Sequence, residues 1–103
     1  MLEQMTEQEL DKAIADRPYE KVTKELIDSR IIKIDYIVLP DSTVTICNLT
    51  LQNGYSVRGE AACVDTRNFN LEIGQALAYK NAYSKLWGLE GYLLAERRMD
   101  ERG

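Results

Sequence analysis

The chain has 103 residues, of which 45% are hydrophobic and 29% charged, and its formal net charge is −4. This composition is typical of one small globular domain, which we expect to span residues 1–103. Such an acidic chain lacks the basic surface that holds a nucleic-acid backbone, and its longest apolar run is far shorter than a membrane-spanning helix. We therefore expect neither a DNA or RNA partner nor a membrane, and a cytoplasmic location.

The chain has no histidine and carries no phosphate-binding loop, dinucleotide-binding glycine motif or CxxC pair. Histidine is the commonest general base and metal ligand, so its absence removes the usual routes to catalysis. We expect no metal and no cofactor. An active site would have to use carboxylates, lysine, tyrosine or cysteine alone.

Residues 1–17 form an acidic leader, in which Thr6-Glu7-Gln8-Glu9 has the spacing of a capping box. Either a short helix runs from Thr6 to Asp16 or the leader is disordered, and both alternatives stay open. A second helix is predicted from Tyr19 or Val22 to Ser29, with Thr23 as an alternative cap.

Three β-branched runs follow, at residues 31–39, 43–51 and 55–64, and they predict a three-stranded antiparallel meander. Asn53-Gly54 predicts a two-residue type I′ hairpin turn between the second and third strands. That turn places Cys47 opposite Glu60 and Cys63 opposite Val44. The two cysteines would then lie on opposite faces of the sheet, so we expect free thiols.

A long helix is predicted from Asn68 or Asn70 onward, bent or broken at Gly88 and Gly91, with a fraying tail at 97–103. Its apolar stripe comprises Leu71, Ala78, Ala82, Leu86, Leu89 and Leu93. The predicted fold class is α+β, with the meander packed on the C-terminal helix and one or two short N-terminal helices. Small residues at Gly74, Ala78 and Ala82 would let this helix lie close to the sheet.

A second row on the same helix, Tyr79, Tyr83 and Trp87, recurs every four residues. Both faces of the predicted hairpin are partly apolar as well. A domain of this size cannot bury so much apolar surface by itself. We therefore expect a homo-oligomer, a dimer or larger, that forms through this row and a sheet face, with any ligand pocket near the subunit boundary.

A string of motifs between about Val22 and Leu94 carries a family resemblance. It comprises Asn53-Gly54-Tyr55, Glu60-Ala61-Ala62-Cys63-Val64-Asp65, Asn68-Phe69-Asn70, Glu72-Ile73-Gly74 and Leu86-Trp87-Gly88-Leu89-Glu90-Gly91-Tyr92-Leu93-Leu94. The chain resembles a family of small tailed-phage proteins. It is also similar to the Thoeris anti-defence proteins of the first type.

Those anti-defence proteins are phage-encoded sponges. They sequester cyclic ADP-ribose isomers, and in some members cyclic oligonucleotides, without cleaving them. The resemblance therefore implies a binding protein, not an enzyme, in the host cytoplasm. It carries over the class of function but no individual site residues. The alternative is a phage accessory protein that acts by protein–protein contact on a host factor.

Four residues are candidates for contacting such a nucleotide. Tyr55 can stack on a base or cap the core, and Arg58 can bind a diphosphate in bidentate fashion or form an ion pair with Glu60 or a partner strand. Asn68 can be a helix N-cap or an anion contact, and Lys85 can be solvated or reach a phosphate.

A catalytic alternative would use Cys63-Val64-Asp65, or Glu60 together with Lys85. Nothing near Cys63 in the sequence polarises its thiol, which argues against a nucleophile at this position.

Overall fold

The computed structural model describes residues 6–15 and 21–102 and confirms the α+β fold. Three antiparallel strands lie in the order β1-β2-β3, and a long C-terminal helix packs on them. The elements are α1 (Glu7–Ala15), α2 (Lys24–Arg30), β1 (Ile31–Val38), β2 (Val44–Leu51), β3 (Ser56–Ala62), a 3-10 turn (Thr66–Asn68) and α3 (Leu71–Arg102). None of the helices in these two described ranges has the length and hydrophobicity needed to cross a bilayer.

Threonine side chains cap both short helices. The Thr6 hydroxyl accepts a hydrogen bond from the Glu9 N–H at 3.1 Å, so the capping-box helix is present. The Thr23 hydroxyl likewise accepts from the Leu26 N–H at 3.1 Å, so the second helix begins at the alternative cap. The other predicted start, Tyr19, lies outside the described residues.

Asn70 caps the long helix, which begins at Leu71: its Oδ1 accepts a hydrogen bond from the Ile73 N–H at 3.1 Å. Asn68 instead ends the preceding 3-10 turn, so it is not the N-cap of this helix. The predicted break at Gly88 and Gly91 is wrong, because α3 is one continuous helix of 32 residues. Its last turns include the predicted tail, 97–103, as far as that segment is described.

The hairpin turn has three residues, so the predicted two-residue type I′ turn is wrong. The Leu51 N–H donates to the Tyr55 carbonyl at 2.8 Å, and the Gly54 N–H donates to the Leu51 carbonyl at 2.9 Å. Gly54 has φ of 88°, the left-handed conformation that closes a type I turn followed by a glycine bulge. Both turn types use Asn-Gly, which is why sequence alone did not separate them.

The extra turn residue shifts the register by one position, so Cys47 lies opposite Gly59 and not Glu60. Compared with the prediction, this shift places every side chain of β3 on the other face of the sheet. Cys47 and Cys63 are nevertheless both free thiols. They stay apart because Cys63 lies four residues beyond Gly59, about 13 Å along the chain. Burial raises the pKa of the Cys47 thiol, which is typical of an inert packing cysteine.

Helix α3 approaches the sheet closely at Gly59. A Cβ atom at this position would lie 2.1 Å from the Ala82 backbone nitrogen and 2.5 Å from the Ala78 carbonyl oxygen. Glycine here and alanine on the helix therefore let the two backbones touch. The core around this contact consists of Ile27, Cys47, Leu49, Leu51, Val57, Ala78, Ala82 and Leu86.

The predicted apolar stripe of α3 is only partly confirmed. Ala78, Ala82 and Leu86 are buried as expected, whereas Leu71, Leu89 and Leu93 are exposed. Buried positions recur every four residues and continue with Glu90 and Leu94. This spacing exceeds 3.6 residues, so the buried face drifts around the helix as α3 leaves the sheet and approaches α2.

A hydrogen-bonded chain ties α2 to α3. The Tyr83 hydroxyl donates to Asp28 Oδ1 at 2.7 Å, and Lys24 Nζ donates to Asp28 Oδ2 at 2.7 Å. The hydrogen bond from Lys24 and then that from Tyr83 lower the pKa of Asp28. Burial, followed by the bond to Asp28, raises the pKa of Tyr83.

We expect Gly59→Ala to lower the free energy of unfolding by about 3 kcal/mol or more, because its methyl group overlaps the backbone of α3. The matched control is Gly88→Ala, whose methyl group meets nothing within 4 Å and which should raise stability by about 0.5–1 kcal/mol. Urea unfolding monitored by circular dichroism measures both. Equal stability of Gly59→Ala and the wild type would contradict the close approach.

We also expect a pH-dependent effect of Asp28→Asn. The folded-state pKa of Asp28 lies below its ordinary value of 3.8, so the ionised carboxylate contributes stability above that pH, and this is lost as the pH falls through the folded value. Asp28→Asn should therefore melt at a lower temperature than the wild type at pH 7, and the difference should narrow as the pH falls below 3.8. The control Asp100→Asn, at the exposed end of α3, should show no such gap. A gap that persists in acid would argue against the charged contact.

Candidate ligand-binding cleft

A cleft of about 360 Å³ lies where α3 passes the hairpin turn. The helix of 32 residues is about 48 Å long, whereas a strand of eight residues spans about 26 Å, so α3 extends past the sheet. The volume is within the range of small-molecule sites. Its lining residues are Arg30, Leu51, Gln52, Asn53, Tyr55, Leu86, Leu89, Glu90, Tyr92 and Leu93.

One wall of the cleft carries an ion pair between α2 and α3. Arg30 Nε lies 2.8 Å from Glu90 Oε1, and Arg30 Nη2 lies 3.4 Å from Glu90 Oε2. The Glu90 side chain is 6% exposed, whereas that of Arg30 is 33% exposed. The two contacts offset part of the free-energy cost of removing the nearly buried Glu90 carboxylate from water. This wall is therefore polar but close to neutral. The second Arg30 terminal nitrogen, Nη1, makes no hydrogen bond within the described part of the chain and is available as a donor.

The hairpin turn also lines the cleft and is hydrogen-bonded to the end of α2. The Gln52 N–H donates to the Arg30 carbonyl at 2.9 Å, and the Gln52 side-chain amide donates to the Ser29 carbonyl. Asn53 Oδ1 accepts from the Tyr55 N–H at 3.0 Å, which leaves the Asn53 Nδ2 group as a donor. These bonds fix the backbone from which the Tyr55 side chain projects.

Two tyrosines give the cleft its aromatic surface. Tyr55 is 60% exposed and Tyr92 is 67% exposed, and both line the cleft beside Leu89 and Leu93. Tyr55 therefore does not cap the core, which was one of its two predicted roles. Exposed rings beside leucine side chains are suited to contact a flat, partly apolar molecule.

The two cations predicted as ligand contacts, Arg58 and Lys85, line a separate cavity of about 260 Å³ at the β3 edge. Arg58 Nη1 donates to Asn48 Oδ1 at 3.2 Å and to Ser56 Oγ at 3.0 Å, and Lys85 Nζ donates to the Arg58 carbonyl. Arg58 lies opposite Asn48, whereas the predicted register placed it opposite Leu49. The structure thus brings Arg58 and Lys85 together, but places neither in the cleft that holds Tyr55.

The fourth predicted residue, Asn68, lines a third cavity of about 160 Å³ together with Cys63. The Cys63 thiol donates to the Asp65 carbonyl oxygen, whereas the Asp65 carboxylate binds Arg67. The hydrogen bond from the Arg67 side chain lowers the pKa of Asp65. Within residues 6–15 and 21–102, no group of three or more His, Cys, Asp or Glu side chains is placed to hold a metal ion.

The aromatic row on α3 is divided between interior and surface. Tyr79 and Tyr83 are half-buried against the core, with ring centroids 5.6 Å apart. Trp87 is 41% exposed. Two of the three residues predicted to form a subunit interface therefore pack largely within their own chain.

Sequence reasoning missed most of the cleft. Arg30, Gln52, Glu90 and Tyr92 were not candidates, and only Tyr55 was. One signal was present, because Glu90 follows Leu86 by four residues and so falls on the buried line of α3. A charged residue at such a position indicates a buried partner, but its identity as Arg30 needs the three-dimensional structure.

One comparison with known proteins gives a match. A family model described as the phage protein (N4 Gp49/phage Sf6 gene 66) family matches residues 5–98. No curated protein and no solved structure matches the chain.

We expect Arg30→Met to lower the free energy of unfolding by about 2 kcal/mol, because it leaves the Glu90 carboxylate buried without its partner. The partial exposure of Arg30 keeps this below the cost for a fully buried pair. The double variant Arg30→Met/Glu90→Leu should regain most of the loss, since it removes both charges. Urea unfolding of the single and double variants measures the coupling, and additive losses would show that the two side chains act independently.

Proposed function

Because the chain belongs to the phage protein family described as N4 Gp49/phage Sf6 gene 66, we propose that it acts as an anti-defence protein in the host cytoplasm. It binds a cyclic nucleotide-type immune signal, a cyclic ADP-ribose isomer or a cyclic oligonucleotide, and sequesters it without cleavage. The motif resemblance to the Thoeris anti-defence proteins supports this ligand class. The observation that carries the proposal is the cleft between α3 and the hairpin turn.

The chemistry of the cleft fits the parts of such a ligand. A base stacks on Tyr55 or Tyr92, and the leucine side chains cover its apolar surface. The Glu90 carboxylate accepts a hydrogen bond from a base N–H group. Arg30 Nη1 and Asn53 Nδ2 are the donors for a phosphate or ribose oxygen.

Sequestration needs affinity and copy number, not turnover. A binding protein present in excess over the signal lowers its free concentration by mass action. Two side chains of the catalytic alternatives already make hydrogen bonds to the backbone, which suits a binding protein better than an enzyme. Lys85 and the Cys63 thiol both donate to backbone carbonyls. The chain also has no histidine to act as a base near them.

The alternative function, contact with a host protein, also has an observation in its favour. Leu89, Tyr92 and Leu93 are exposed together on the part of α3 that overhangs the turn. A host protein could dock on this surface. We prefer the small ligand because the same residues form one side of a concave cleft with polar groups on its walls.

The test is isothermal titration of the purified protein with a panel of cyclic ADP-ribose isomers and cyclic di- and trinucleotides. The protein–ligand mixture is then heat-denatured, and the released molecule is compared with the input by mass spectrometry. Binding followed by release of intact ligand supports sequestration. Release of a cleaved product would indicate an enzyme, and no binding across the panel would favour protein-directed inhibition.

We expect Tyr55→Ala to weaken binding of the ligand found in that panel by about ten- to a hundredfold, because loss of base stacking costs about 1–3 kcal/mol. Tyr55→Phe keeps the ring and should stay within about threefold of the wild type. The matched control is Arg58→Ala, which lies in the separate cavity and should not alter the affinity. A large loss in Arg58→Ala with none in Tyr55→Ala would move the site to the β3 edge.

A further inference from the structure

The hairpin turn that lines the cleft contains a chemically reactive pair of residues. Asn53 is followed directly by Gly54, and both are exposed. The side-chain amide of an asparagine can be attacked by the backbone nitrogen of the next residue, which closes a five-membered ring. Glycine favours this attack because it has no Cβ atom to obstruct the approach. The turn therefore combines an accessible carbonyl carbon with an unhindered nitrogen.

The fold holds the reacting groups beside each other. Asn53 Oδ1 accepts a hydrogen bond from the Tyr55 N–H at 3.0 Å. This bond folds the Asn53 side chain back along the turn and places its carbonyl carbon, Cγ, beside the Gly54 peptide. The same N–H stabilises the negative charge that develops on Oδ1 during the attack. One bond opposes the reaction, from the Gly54 N–H to the Leu51 carbonyl at 2.9 Å, and it must open before the ring closes.

The other four asparagines of the chain lack this combination. Asn48 lies inside β2 and Asn81 lies inside α3, where the regular backbone conformation holds the next amide nitrogen away from the side chain. Asn68 and Asn70 are each followed by a residue with a large side chain, which obstructs the attack. The chain therefore carries its own internal controls for reactivity at Asn53.

We propose that Asn53 is a self-modification site, at which the folded chain alters its own cleft without an enzyme. The Gly54 nitrogen loses its proton to hydroxide and forms a bond to Asn53 Cγ. The bond between Cγ and Nδ2 then breaks, and the nitrogen leaves as ammonia with a proton taken from water. A second water molecule opens the resulting succinimide at either of its two carbonyl carbons. One opening gives aspartate and the other gives isoaspartate, so the residue has exchanged ammonia for water with no change of oxidation state.

Both products change the cleft, whichever ligand it binds. A carboxylate replaces the Nδ2 donor in a cleft where the charge of Arg30 is already matched by Glu90. The cleft then carries a net negative charge, which repels an anionic ligand. Aspartate keeps the turn, because its carboxylate still accepts from the Tyr55 N–H and Asp-Gly suits a hairpin turn. Isoaspartate adds a methylene group to the backbone, which disrupts the hydrogen bond between Leu51 and Tyr55.

The experiment incubates the full, folded chain at pH 7 and pH 8, digests samples with pepsin in acid and follows each asparagine by mass spectrometry. We expect Asn53 to lose its amide at least about tenfold faster than the other asparagines, because only Gly54 leaves the approach open. The loss should be about tenfold faster at pH 8 than at pH 7, because hydroxide removes the proton of the attacking nitrogen. An intact Asn53 amide, or equal rates at all the asparagines, would overturn the proposal.

A urea-unfolded sample separates the folded turn from the bare sequence. Conversion of Asn53 only in the unfolded sample would show that the turn protects this residue, and would refute the proposal.

Two variants complete the test. Asn53→Gln should keep its amide throughout, because attack on the longer side chain needs a larger ring. Asn53→Asp reproduces one product and should unfold at the same urea concentration as the wild type, whereas the purified isoaspartyl form should unfold at a lower one. An isoaspartyl form as stable as the wild type would contradict the expected loss of the turn.

Discussion

The structure depends on the close approach of α3 to the sheet at Gly59. The helix backbone at Ala78 and Ala82 lies where a side chain of β3 would otherwise be. This contact fixes which strands the helix covers and how far it extends beyond them. No larger residue fits at Gly59, and the side chains of the core pack around this contact.

Two features follow from that position of α3. The helix lies over β2 and β3, so β1 keeps an open edge with exposed apolar side chains. The helix is also longer than the sheet, so its second half overhangs the hairpin turn and closes one side of the cleft. The open edge of β1 and the ligand site that we propose therefore lie in different parts of the molecule.

The Arg30–Glu90 ion pair connects these parts to the N-terminal half of the chain. It joins the end of α2 to the overhanging part of α3, and the same arginine carbonyl accepts a hydrogen bond from the turn. A nearly buried ion pair contributes little net stability, because desolvation offsets much of the attraction. It does place charged atoms beside the leucine and tyrosine side chains of the cleft, which suits a ligand with both a flat ring and polar edges.

The sequence by itself determined the elements of this protein. The alternating β-branched runs, the capping residues Thr6 and Thr23 and the small residues at Ala78 and Ala82 act over short distances, so three strands and a long helix could be predicted from them. Only the tertiary structure decided the register, because Asn53-Gly54 suits turns of two or three residues. A difference of one residue in the turn places every side chain of β3 on the other face of the sheet. The tertiary structure also decided which residues line the cleft. Arg30 and Glu90 are 60 residues apart in the chain, and only the packing of α2 against α3 brings their side chains together, which no local pattern encodes.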